Sequence, residues 1–286
     1  MGAHRFRGPS DLHLHSAQSD GTQSPADVMR AAHDHGVRTA ALTDHDTTAG
    51  WVDAATAAVS LKMTLLPGME MSTRHRGRSV HLLAYLFDPD DPALRAEIEH
   101  VRSSRRDRAR IMTERIGRDY DLSWTDVLAQ TGDETTIGRP HIADALIAKE
   151  HVRDRTEAFA GILDPRGEYY VALYSPDPVT AVRLVVAAGG VPIIAHPASR
   201  GGVPADGLLA EMLDAGLAGF ELDHRENRAE GVRRLAGLVA ERNLIVTGSS
   251  DYHGSGKPNL PGEHTTSDEM VQRIIDRARG AEPVYG

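Results

Sequence analysis

A chain of 286 residues, 40% hydrophobic and 26% charged, suits one large globular domain or one domain carrying an insertion. Its formal net charge of -9 argues against a surface built mainly to hold nucleic acid, although a local basic patch stays open. The absence of cysteine excludes disulfides and thiolate metal sites, so any metal must be held by the nitrogen and oxygen donors of 15 histidines and 41 acidic residues. Residues 1–10 lack an apolar core of signal-peptide length, and no run approaches the ~20 apolar residues of a membrane span. A cytoplasmic protein without a membrane partner is expected; the oligomeric state is not legible.

Residues 11–15, DLHLH, read as a strand whose alternation puts His13 and His15 on one face. Ser24-Pro25 starts a helix that runs to about His35 and stops at Gly36. Residues 39–42 form a strand ending in Thr43-Asp44-His45-Asp46. A helix follows, then a strand over 63–66 ending at Gly68-Met69-Glu70, and another over 79–87. Residues 92–170 are Arg-rich and helical in period, which predicts a helical insertion between barrel portions 1–91 and 171–286. Alternation then resumes: helix 181–188, strand 191–195, helix 208–215, strand 219–222, helix 232–241, strand 244–247. Repeated strand–helix units imply parallel strands, and their number suggests a closed α/β barrel.

The polar residues fall at strand ends. His13 and His15 lie on the first strand and Asp20 follows it. His45 and Glu70 end the next two, and His81 starts the one after. His196 follows the 191–195 strand, and Asp251 and His253 follow the last. In a parallel barrel the C-terminal strand ends converge on the face that carries active sites. Six histidines and three carboxylates at such ends suit divalent Zn, Mn or Fe and exceed one tetrahedral site, so two or three ions are expected. A lone histidine or a lone Asp after a strand would be a core or capping residue; recurrence at nearly every strand end is what capping does not explain. His33, His35, His75, His100, His151 and His264 take the ordinary reading.

The segments DLHLHSAQSDG (11–21), ALTDHDTTAG (41–50), LLPGMEMS (65–72), VHLLAY (80–85), IIAHP (193–197) and VTGSSDYHG (246–254) resemble the ordered motifs of the polymerase-and-histidinol-phosphatase (PHP) family. Within it the likeness is to the stand-alone nucleotide phosphoesterase branch, on the segment IGRPHIADAL (137–146) and the motif spacing. The resemblance implies a distorted seven-stranded, TIM-like (β/α)7 barrel and a trinuclear site. In it His13, His15, Glu70 and Asp251 would hold one ion, and Glu70 would bridge to a second shared with His81 and His196. Asp20, His45 and His253 would hold the third. Some members carry His where this chain has Asp20; the harder carboxylate would favour Mn or Fe over Zn.

Two ions a few Å apart would acidify a bridging water, and the resulting hydroxide would attack phosphorus in line with the leaving oxygen. Asp251 is therefore counted with the catalytic residues, and His224, after the 219–222 strand, could donate a proton to the leaving group. Asp11, Asp44 and Asp46 either hold imidazole N–H groups from behind, or, for the last two, cap the helix after His45. Arg139 and His141 are the first candidates for phosphate, with Arg106 from the run at 102–118 and Lys257 behind them. Most arginines of that run are read as solvating their helix or pairing with Asp107 and Glu114, while Ile98, Val101, Met112 and Ile116 form its buried side. The reading is a phosphoesterase acting on a small phosphorylated substrate, such as a nucleoside 3′,5′-bisphosphate or AMP. A 5′-3′ exoribonuclease on short RNA and a histidinol phosphatase are the alternatives. An amidohydrolase and a non-catalytic metal-binding module rank below them.

Overall fold

The computed structural model describes residues 8–132, 135–199 and 201–286. Strands β1 (Ser10–Leu14), β2 (Thr39–Leu42) and β3 (Thr64–His75) pair in parallel, joined through helices α1 (Pro25–Asp34) and α2 (Trp51–Ser60). α1 begins where the Ser24 hydroxyl accepts the Asp27 N–H, and Pro25 occupies a first turn whose N–H would find no partner. Its Val28, Met29 and Ala32 form one apolar cluster with Leu14, Ala40 and Leu42 of the strands. The ladder of β1 on β2 shifts register between Asp11 and Leu14. Such an irregularity re-aims side chains at a strand end.

The next strand departs from the expected parallel order. β3 runs well past Glu70 to His75, and β4 (Arg78–Tyr85) returns antiparallel to it, with Ser72 opposite His81. The two-residue connection is Arg76 (φ 48°) and Gly77 (φ 84°), the pair of positive φ angles that a tight hairpin with the strands' own twist demands. A parallel return would need a crossover of a dozen or more residues, and the segment between the two apolar runs has no room for one. The reversal is what brings His81, near the start of its strand, to the same rim as residues at the ends of the others.

Beyond the insertion come α7 (Pro178–Ala187), β5 (Val191–Ile194), α8 (Asp206–Asp214), β6 (Gly219–Asp223), α9 (Ala229–Arg242) and β7 (Ile245–Gly248). β5 pairs antiparallel to β4, whereas β5, β6 and β7 are parallel. The sheet order β1-β2-β3-β4-β5-β6-β7 curls into a nearly closed, distorted TIM-like barrel. Its seam is joined at the top, where the His15 N–H donates to the Tyr252 carbonyl at 2.8 Å. Leu12, Ala41, Leu66, Leu83, Tyr85, Ile193 and Ile245 fill the interior below the polar rim. Helix α10 (Asp268–Arg277) adds Val271 and Ile274 to that cluster, and β8 (Val284–Tyr285) pairs with the start of β3; neither element was anticipated.

The described residues of 92–170 carry four helices and no strand: α3 (Pro92–Ile116), α4 (Trp124–Leu128), α5 (Arg139–Ala148) and α6 (Arg155–Ala160). The first half of α3 lays Leu94 and Ile98 against the barrel's outer cluster. Its second half joins Met112 and Ile116 to Leu122, Val127, Ile142 and Leu146 in a separate core. Three contacts among the described residues tie this segment to the rim loop after β1: the Thr135 hydroxyl donates to the Ala17 carbonyl at 2.9 Å, the Thr136 N–H to the Gln18 carbonyl at 2.8 Å, and Arg155 Nη1 to the Asp20 carbonyl at 3.0 Å. Among the described residues no helix is long and apolar enough to cross a membrane.

Candidate metal centre

Nine polar side chains, carried by six strands or the loops that follow them, meet at the rim. His13 Nε2 and His15 Nε2 lie 3.0 Å apart, each 3.2 Å from Glu70 Oε2. Asp251 Oδ1 is 3.5 Å from the first and 3.4 Å from the second. Donor atoms around one ion at ~2.1 Å stand roughly 3.0 Å apart in octahedral and 3.4 Å in tetrahedral geometry, so these separations fit one cation at their centre. Two imidazole nitrogens facing each other at 3.0 Å make no other sense unless a proton or a cation lies between them. The second oxygen of Glu70 faces a different pair: Oε1 is 2.7 Å from His81 Nδ1 and 3.3 Å from His196 Nε2. A third set joins Asp20, whose Oδ1 is 3.1 Å from His253 Nε2 and whose Oδ2 is 3.8 Å from His45 Nε2. His45 also turns Nδ1 toward Glu70 Oε2 at 3.2 Å, so it stands between the first and third sets. The buried Nδ1 of His45 and Nε2 of His253 make no hydrogen bond among the described residues, as donors awaiting a cation would.

Electrostatics point the same way. Burial alone would push the Glu70, Asp251 and Asp20 carboxyls up, but their neighbours hold all three well below the ordinary range. Those neighbours are His45, His81 and His13 for Glu70, Lys257 and His253 for Asp251, and His253 and His45 for Asp20. Buried carboxylates so close together require compensating positive charge. In the chain alone it comes as protons: against the opposing effect of burial, Asp251 and Glu70 raise His15 to about 9. Glu221, Glu70 and Asp251 likewise hold His13 well above its usual value. Burial instead drives His45 down to about 3, which leaves a neutral imidazole suited to coordinate.

The chain as a whole resembles known proteins. The family model described as PHP domain matches residues 11–130. The chain is 30% identical over 276 residues to a 3′,5′-nucleoside bisphosphate phosphatase of Chromobacterium violaceum, covering 93% of this chain and 95% of that protein. The chain belongs to the PHP family. It is also similar to a 5′-3′ exoribonuclease of Haemophilus influenzae, at 30% identity over 85% of this chain and 89% of that one. In structure it matches a Bifidobacterium adolescentis protein solved as a candidate metal-dependent phosphoesterase, with a TM-score of 0.92, 39% identity and coverage of 94% and 96%. A PHP chain with this rim is a phosphoric ester hydrolase of the metal-dependent kind, and divalent ions fit its His, Asp and Glu clusters.

The PHP rim is braced by groups that sequence reasoning missed or misplaced. Glu221, fully buried on β6, accepts from His13 Nδ1 at 3.0 Å with one oxygen and from the His196 backbone N–H at 2.7 Å with the other. It is the carboxylate that fixes the tautomer and direction of His13. The one signal for it was an acid within the apolar stretch GFEL (219–222). Asp11, Asp44 and Asp46 do neither of the things expected of them. Asp11 accepts backbone N–H groups of Ser250 and Gly262, at 3.1 and 2.8 Å. Asp44 binds the N–H and hydroxyl of Ser16 and the hydroxyl of Ser19, and Asp46 binds the N–H and hydroxyl of Ser72. They hold the loops on which ligands ride, and the helix after His45 is capped at Gly50 without a side chain. Asp46 (φ 53°), His196 (φ 32°) and Asp251 (φ 55°) take positive φ, a strain of order 1–3 kcal/mol each that such bonds sustain. A Glu221→Gln variant can accept only one of the two hydrogen bonds. Its metal affinity is expected to fall roughly 10–100-fold, read by titrating the metal-free protein with Mn(II); an unchanged affinity would remove Glu221 from the account.

The expected substrate residues scatter. His224 is buried, its Nδ1 accepting the Glu226 N–H at 3.2 Å and its Nε2 3.7 Å from Asp251 Oδ2. Lys257 donates from its ammonium to Asp251 Oδ2 at 2.6 Å. His141 spends Nδ1 on the Gly138 N–H at the start of α5. Arg139 donates to the Leu163 carbonyl and stacks over Phe159. Arg106 lines a separate cavity of about 450 Å³, together with Glu99 of α3 and with Thr131, Thr135 and Ile137. Arg110 pairs with Glu114 as expected, and the six histidines given an ordinary reading find partners outside the cluster. A second cavity, of about 410 Å³, is lined by His81 and His196 together with apolar Val80, Ile194, Pro197 and Leu208.

Proposed function

We propose that this PHP enzyme removes a phosphate group from a small nucleotide. His13, His15, Glu70 and Asp251 hold one divalent ion, Glu70, His81 and His196 a second, and Asp20, His45 and His253 a third. The observation that carries the reading is Glu70, whose two oxygens address two different sets of imidazoles, the geometry of a carboxylate shared by adjacent ions. Nitrogen and oxygen donors without sulfur favour Mn, Fe or Zn. Such ions, when bound, acidify a water for attack and neutralise phosphoryl oxygens. The chain's own part is to orient and to exclude water. His81 and His196 are the more open ligands, with side chains 27% and 19% exposed, and both border the 410 Å³ cavity, which would take the apolar face of a nucleoside. On this reading the proton for the leaving oxygen would come from His224, whose Nε2 lies 3.7 Å from Asp251 Oδ2 and whose ring lies 5.3 Å from that of His196. Residues 92–170 act as an inserted lid over barrel portions 1–91 and 171–286.

The test is phosphate release by the Mn(II)-loaded protein from adenosine 3′,5′-bisphosphate, AMP, histidinol phosphate and a short 5′-phosphorylated RNA. Turnover of the adenosine compounds, abolished by chelation and lowered at least ~100-fold by His196→Ala, is the expected result. Turnover of histidinol phosphate alone would transfer the chain to another substrate class. Metals bound with nothing hydrolysed would overturn the reading.

A further inference from the structure

The third set of ligands is carried differently from the other two. His13, Glu70 and His81 lie within strands β1, β3 and β4, where ladder bonds hold the backbone. Asp20, His45 and His253 all ride on the loops that follow β1, β2 and β7. The insertion meets each of these loops. Its bonds to the loop after β1 end on the carbonyls of Ala17, Gln18 and, from Arg155, Asp20 itself. Arg105 of α3 donates from Nε to Asp46 Oδ2 at 2.7 Å, beside His45, and also reaches the Ser72 hydroxyl on β3. At Gly256, shortly after His253, a Cβ would lie 2.5 Å from Arg155 Nη1.

Arg155 is the hub of these contacts. Its Nε and Nη2 each donate to one oxygen of Asp144 on α5, both at 2.7 Å, and its Nη1 donates to the Asp20 carbonyl at 3.0 Å. A two-point carboxylate grip fixes the plane of a guanidinium and so the direction of the remaining nitrogen. Joining α5 to α6 needs only the first two of those bonds. The third leaves the insertion and ends on the backbone of a ligand. Asp144 also offsets the positive charge that Arg155 would otherwise hold against a cation at Asp20. From there the Thr22 N–H donates to the His253 carbonyl at 3.2 Å, and Thr22 Oγ1 accepts the Ser255 N–H at 2.9 Å. Asp20 Oδ1 and His253 Nε2, 3.1 Å apart, are thus set by one chain of bonds that begins on the insertion.

We propose that Arg155, anchored by Asp144, is a positioning residue for the third ion, so that the Asp20, His45 and His253 set reaches full affinity only while the insertion is docked on the rim. The proposal rests on the three-ion reading and extends it: the insertion, besides covering the rim, sets how many ions the enzyme holds. A carboxylate on a loop must be held in one direction to coordinate, and partners that hold ligands so are worth roughly 10–100-fold in metal affinity. Among the described residues, no hydrogen bond of Arg155 goes to a ligand of the first two sets.

The experiment titrates the metal-free full-length protein with Mn(II) and counts free ion by electron paramagnetic resonance, with melting curves to establish that each variant is folded. The wild type is expected to take up three ions. Asp20→Asn, which alters a ligand of the third set alone, identifies the step that belongs to it. Arg155→Gln is expected to weaken that step roughly 10–100-fold and the other two by less than ~3-fold. Should it fail to fold, Gly256→Ala supplies the second arm: the added methyl displaces the guanidinium tip while every charged group stays in place. The same selective loss is expected of it. Equal weakening of all three steps would make Arg155 a staple between α5 and α6 and overturn the proposal, as would three unchanged steps. A wild type that binds only two ions rejects the three-ion reading and this proposal with it. Selective loss in the variants, with no phosphate ester hydrolysed by the loaded wild type, keeps the proposal and rejects the phosphatase reading.

Discussion

Glu70→Gln is expected to lower kcat/KM for phosphate release by roughly 1,000-fold. One carboxylate oxygen stands 3.2 Å from each of His13 Nε2 and His15 Nε2, and the other 2.7 Å from His81 and 3.3 Å from His196. An amide of the same shape has one oxygen and one NH2, so it cannot serve two ions, and it turns a donor toward one of them. It also removes one of the buried negative charges that balance the cations. Losing shared coordination costs several kcal/mol of transition-state stabilisation, and at ~1.4 kcal/mol per ten-fold that is about three decades. His81→Ala, which removes a ligand from one set only, should fall short of it. The check is steady-state phosphate release together with metal analysis of each variant. Glu70→Gln within ten-fold of wild type at full metal loading would mean that Glu70 does not bridge.

The metal rim was legible because a barrel turns one-dimensional position into a shared place. Once short apolar runs mark strands, residues at their ends must be neighbours, however far apart in sequence. His81 was the exception that should have exposed the error in strand direction. It begins its strand, so in an all-parallel barrel it would sit at the wrong end. The segment from Ser72 to Arg78, too short for a crossover, already implied the hairpin. Glu221 was hidden for a different reason: a single acid in a buried strand has no partner in sequence, and its partner His13 lies 208 positions away. The arginines show the limit of composition. The run at 102–118 drew attention to α3, but only the fold turns Arg105 back to Asp46 and Ser72 and brings Arg108 together with Arg74 of β3 at Tyr170.

Chelation is expected to lower the melting temperature by more than 10 °C. A ligand present at 1,000 times its Kd stabilises the folded chain by about 4 kcal/mol, and 1 kcal/mol moves the melting point of a large domain by ~2–4 °C. Two ions would therefore be worth roughly 15 °C or more. The effect has a pH signature. Without an ion, His15 carries a proton up to about pH 9, against an ordinary value of 6.5, because Asp251 and Glu70 outweigh the cost of its burial. A group raised on folding stabilises the folded state fully below the unfolded value and gives that stability up as pH climbs through the folded one. The ion-loaded chain has no such proton to lose, since the same nitrogens hold the metal. The gap between loaded and chelated melting points should thus widen from pH 6.5 towards pH 9, and loading at pH 7 should release protons, measurable by calorimetry in buffers of different ionisation enthalpy. A gap below ~3 °C with complete metal removal, or one that narrows as pH rises, would show that protons and ions do not compete for His13 and His15, and the first ion would have to be placed elsewhere on the rim.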